Sequence, residues 1–162
     1  MASTAGDFPN VAEVLGKVLQ RVPRGLQPLL IAVAERLAAE RYRGWADEAT
    51  DAARGGGFRA CAAREEDIAA RVEALYPDAA VIQRDILAAN PDLEDINRSI
   101  FAGRALEQQL AIQAQGERLG AATWRAFAEH ADDPKAGATF LDCAVLEETS
   151  AAFLEAVLER KA

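Results

Sequence analysis

The stretch CAAREEDIAARVEAL, residues 61–75, has the composition of an amphipathic helix, yet one carboxylate stands among its small and apolar positions. Residues three and four apart share a helix face. Counting back from Glu65 by threes and fours reaches Ala62, Cys61 and Phe58; counting forward reaches Ile68, Ala69 and Val72. Glu65 therefore lies on the face that a helix buries. A buried carboxylate has to be paired, protonated or coordinated, because taking an ion out of water costs several kcal/mol.

The stretch also has a twin. CAVLEETSAAFLEAV, residues 143–157, follows it at an offset of 82 residues, and the same offset matches ERLAAERYRGWADEA (35–49) with ERLGAATWRAFAEHA (117–131). Across 35–75 against 117–157, 18 of 41 positions are identical without a gap, among them Gly55/Gly137, Phe58/Phe140, Cys61/Cys143 and Glu65/Glu147. Alanine-rich helices resemble one another easily. An ungapped match that includes Gly, Phe, Cys and repeated Glu is read as a duplicated helical hairpin.

The rest of the composition agrees with a helical protein. The chain has 162 residues, half of them hydrophobic and rich in alanine, with few β-branched runs. That length fits one domain with a substantial core. With 18 basic and 26 acidic residues the formal charge is −8, which argues against nucleic acid or an anionic membrane as partner. MASTAGDFPN at the start carries neither the basic region nor the apolar run of a signal peptide, and LLIAVA at 29–34 is too short to span a bilayer. Cys61 and Cys143 form no CxxC pair and no disulfide framework. The expectation is a cytoplasmic protein.

Punctuation by Gly and Pro divides the chain. A tail and short helix (8–21) occupy 1–25, and a bundle occupies 26–162 with repeat halves at about 26–76 and 104–160 and a connector at 77–103. Long helices are expected at about 26–53, ended by the GGG at 55–57, then at 58–75, at 92–131 with a bend near Gly103, and at 133–159. The connector has room for a short helix of its own. Asp133-Pro134 reads as an N-cap and first-turn pair. A short, a long and a short link between four long helices predict an all-α four-helix bundle with one crossover connection.

Each long helix then carries one Glu on its apolar stripe: Glu35, Glu65, Glu117 and Glu147. Glu66 and Glu148, their neighbours, fall on other faces, either turned outward or bracing the inward pair. Antiparallel packing of the hairpins brings the four inward carboxylates to one level. No Arg or Lys shares their stripes, and mutual repulsion would push protons onto some of them. Two divalent cations would balance four negative charges, so the four Glu are candidate metal ligands.

The helix patterns carry a resemblance. Glu35, Ala38, Tyr42, Trp45 and Ala46 follow E-x-x-A-x-x-x-Y-x-x-[WF]-A, and Glu117, Gly120, Trp124, Phe127 and Ala128 repeat it in variant form. Over about residues 26–160 the sequence resembles the ferritin-like superfamily, nearest to its rubrerythrin branch. The resemblance implies a di-iron or di-manganese centre made from single Glu residues on two helices and a Glu-x-x-His pair on each of the other two. It implies an oxidoreductase or an iron- or manganese-handling protein, working as a homodimer or larger assembly. Here Ile68 and Ser150 stand where that pattern has histidine, and no CxxC supplies a rubredoxin-type module. The remaining oxygen ligands suit hard ions such as Mn, Fe(II), Mg or Ca.

The same residues have plainer readings. The four Glu also fit a degenerate bundle without metal, acting as an interaction or scaffold protein. Cys61 and Cys143, one turn before Glu65 and Glu147, could add thiolate ligands or redox chemistry; the plainer reading is small buried hydrophobes separated by about 12 Å along the bundle axis, too far for a disulfide. Tyr42 and Trp124 are core aromatics or hydrogen-bond partners of the site, and Gln113 is a polar residue on the Glu117 stripe suited to supporting a ligand. His130 reads as a surface residue. Leu146 and Phe153 replace Arg64 and Arg71 of the first half and widen the last helix's apolar face, a candidate partner surface. No phosphate loop, Ser/His/Asp set or zinc-type spacing is present.

Overall fold

The computed structural model describes residues 8–160; the tail at 1–7 and the last two residues lie outside the described residues. Among the described residues the chain is all-helical: α1 (Val11–Leu19), α2 (Gln27–Glu48), α3 (Ala52–Glu73), α4 (Ala79–Ala89), α5 (Leu93–Phe101), α6 (Leu106–Glu129) and α7 (Pro134–Glu159). A 3-10 turn at Arg24–Leu26 leads into α2. Among the described residues no helix is long and apolar enough to cross a membrane.

Caps set the helix starts. Asp133 accepts a hydrogen bond from the Lys135 amide at 3.0 Å, with Pro134 in the first turn, as the sequence predicts. Asp51 does the same for α3 through the Ala53 amide, also at 3.0 Å, so α3 begins at Ala52 and the glycines at 55–57 lie inside it. This corrects the expectation that the GGG run separates two helices. Glycine inside a helix costs about 1 kcal/mol relative to alanine. At Gly57 a reason is visible, since a Cβ there would fall inside the Phe153 ring of α7. The expected bent helix over 92–131 is two helices, α5 and α6, parted by Gly103 at φ +74°.

Side-chain pairs give the directions of the long helices. Arg36 with Glu73 and Arg43 with Glu66 run α2 against α3, while Arg118 with Glu155 and Arg125 with Glu148 run α6 against α7. Phe58 against Phe153 and Arg71 beside Asp142 run α3 against α7. Trp45 to Gln109 and Arg41 to Gln113 run α2 against α6. Each neighbour is therefore antiparallel. Joining α3 to α6 means crossing the length of the bundle, which the segment holding α4 and α5 does.

Between the four long helices the core lies in two parts, with a third, smaller cluster of Val22, Leu30, Ile86 and Leu93 outside them. One gathers Tyr42, Trp45, Phe58, Cys61, Leu110 and Leu154; the other gathers Ile31, Ile68, Val72, Trp124, Phe140 and Cys143. On each of the four long helices the inward Glu falls between the two sets. Burial of each large apolar side chain stabilises by about 1.5–3 kcal/mol, so two apolar plugs hold a polar layer between them.

Candidate metal centre

Glu35, Glu65, Glu117 and Glu147 are all buried, one from each long helix. Carboxylate oxygens of Glu35, Glu65 and Glu147 lie within 4.8 Å of one another. The fourth, Glu117, has partners of its own: its Oε1 accepts from the Tyr42 hydroxyl of α2 and from Gln113 Nε2, the latter at 2.8 Å. It stays within proton-sharing reach of Glu147.

Room for this layer comes from a glycine. A Cβ on Gly120 would stand 2.8 Å from the Glu147 carboxyl carbon and closer still to Oε1. Trp124, one turn further along α6, donates from Nε1 to Glu147 Oε1 at 2.9 Å. Ser150 of α7 donates to Glu65 Oε1 at 3.2 Å and accepts from Arg64 Nε at 3.0 Å. Glu65 Oε2 is buried and accepts no hydrogen bond at all. Buried oxygens without a partner are rare and mark a place where a donor, a proton or an ion belongs.

The electrostatics follow from burial. Desolvation, opposed by hydrogen bonds shared with Glu65 and Glu147 and helped by the charge of Glu117, raises the Glu35 carboxyl to about 7. Glu65 and Glu147 are pushed well above the ordinary carboxyl value, first by burial and then by the charges of the carboxylates beside them. Protons and metal ions compete for the same lone pairs, so these groups need one or the other. Burial likewise raises the Tyr42 phenol and the Cys61 thiol, and lifts Cys143 to about 12. Both cysteines are free and buried, in different parts of the core.

Of the two readings for Glu66 and Glu148, outward or bracing, the contacts fit the outward one: Glu66 is engaged by Arg36 and Arg43, and Glu148 by Arg125 at 2.7 Å. Their place one residue beyond an inward Glu turns them by about 100° on the helix. Tyr42 and Gln113 do hydrogen-bond to the layer. Two cations approach it from the flanks despite lying off the stripes. Arg41 donates to Gln113 and to Asn97 of α5, covers the Phe101 ring at 3.7 Å, and is lowered to about 10, chiefly by burial. Arg64 reaches Glu65 through Ser150 and donates to Cys61 Sγ at 3.2 Å. The sequence carries one signal for Ser150, a polar residue replacing Ile68 at the matched position of the repeat. His130 is exposed at the end of α6, its Nδ1 on the Ala126 carbonyl.

No protein-family model, curated protein or solved structure matches this chain.

Proposed function

We propose that the chain is a ferritin-like bundle built from a duplicated hairpin, and that Glu35, Glu65, Glu117 and Glu147 hold two divalent cations, Fe or Mn. The observation that carries this reading is the convergence of three buried carboxylates within 4.8 Å, with Glu65 Oε2 accepting no hydrogen bond. The donor set fits hard ions, since it is all oxygen and the nearby thiols are held protonated by burial. Iron or manganese there would supply redox or Lewis-acid chemistry. The chain's own residues fix the carboxylates: Tyr42 and Gln113 orient Glu117, Trp124 orients Glu147, and Ser150 with Arg64 orients Glu65. Leu146 and Phe153, the expected partner face, pack instead against the core, Phe153 on Phe58 of α3; a homodimer stays the proposed assembly, with Leu141 and Val145 the apolar residues that α7 exposes.

Two observations favour a second reading. Ile68 and Ser150 leave the site without imidazole, and the carboxyls stand close enough to share protons among themselves. Such a bundle would be a metal-free interaction scaffold. Metal analysis of protein purified from its native host separates the two. The first reading predicts near-stoichiometric Fe or Mn in the native protein and its loss in Glu147→Ala; no bound metal in either sample supports the scaffold.

A further inference from the structure

Between α2 and α6, on the side flanked by α1 and α5, the molecule has a partly open pocket of about 180 Å³. Glu35, Glu117 and Glu147 form part of its lining, whereas Glu65 does not reach it. The remaining walls are mostly aliphatic or aromatic, with Leu30, Ile31 and Ile112 from the long helices and Leu15, Leu93 and Phe101 from the flanking ones. The space exists because both long helices place small residues there, Ala34 and Ala38 on α2 and Gly116 and Gly120 on α6. A Cβ added to Gly116 meets nothing within 4 Å.

A mostly apolar pocket of this volume has room for a molecule about the size of benzene. We infer that this cavity binds a small uncharged apolar molecule, of about six carbon atoms, and presents it to the carboxylate layer. An anion is disfavoured by the three carboxyls. The nearest cation, Arg41, is already committed to Gln113, Asn97 and the Phe101 ring. An organic cation would set its charge among the same carboxyls and compete with metal. Such a molecule is the substrate class of the proposed centre. Its chemistry there rests on the metal reading, whereas its binding needs only the cavity.

Calorimetry with 1-hexanol, hexanoate and hexylammonium, on protein as purified and after chelation, tests this. Hexanol should bind saturably in both samples, hexanoate at least tenfold more weakly, and Gly116→Leu and Ala34→Leu should each weaken hexanol at least tenfold while keeping the helical circular dichroism. Absence of saturable hexanol binding overturns the inference. So does unchanged binding in the two filled variants, or, in the metal-loaded protein, a preference for hexylammonium over hexanol. Hexanol binding in a protein that carries no metal leaves the cavity standing and defeats the metal centre alone. Stoichiometric metal without hexanol binding does the reverse.

Discussion

At the α3–α7 interface Gly57 lets the Phe153 ring lie against the helix backbone, and Ser150 reaches across to Glu65. The α2–α6 interface is built in the opposite sense. Its two long helices approach less closely than α3 and α7, Ala34, Ala38, Gly116 and Gly120 leave a void, and the crossing contacts are polar, from Tyr42 to Glu117 and from Arg41 to Gln113. Glycine serves both. At 57 it admits a ring and closes the packing; at 116 and 120 it leaves volume for a cavity and a carboxyl. The carboxylate layer consequently has a sealed back at Glu65 and an approachable front at Glu35.

The largest expected difference between front and back is electrostatic. Glu35 is raised to about 7 by burial, against 4.5 for an ordinary carboxyl. Below pH 4.5 folded and unfolded chains both hold this proton and no stability is lost. As pH rises toward 7 only the unfolded chain ionises, so stability of the metal-free protein falls, by about 3 kcal/mol from Glu35 alone. Glu65 and Glu147, raised further, carry the decline to higher pH. Thermal unfolding of chelated protein from about pH 5 to pH 8 should therefore show a falling Tm. Glu65→Gln, on the sealed side, should remove more of that fall than Glu35→Gln. A Tm that is flat or rises with pH would show that the layer is not a set of buried carboxyls.

Smaller effects separate the glycines. Gly57→Ala forces the Phe153 ring to move and should destabilise by about 1–2 kcal/mol, even after the gain in helix propensity. Gly116→Ala has open space and should stabilise by about 0.5–1 kcal/mol. Denaturant unfolding of the two variants checks the contrast; the same sign in both would mean that the two interfaces are packed alike.

Much of this arrangement is legible in the residues. Spacing by threes and fours finds all four inward Glu, because each helix needs a continuous apolar stripe and a carboxylate interrupting it is conspicuous. The match of Asp51 with Asp133 marks the true start of α3, yet the local preference of the GGG run points to a break four residues later. Local preference loses there because Gly57 answers to a ring 96 residues away in sequence, at Phe153. Arg41 and Arg64 escape a reading by stripes, since a long flexible side chain reaches a layer that its Cα does not face. The cavity is hidden for a related reason. Ala34 and Gly116 look like ordinary small helix residues until α2 and α6 are placed opposite one another.

Anomalous diffraction from crystals of protein isolated from its native host tests the centre directly. Data on either side of the iron and manganese absorption edges should give two peaks among the carboxylates of Glu35, Glu65, Glu117 and Glu147, with Glu65 Oε2 turned onto one of them. A bundle centre without anomalous signal, in which the four carboxyls only share protons with each other, would contradict the assignment.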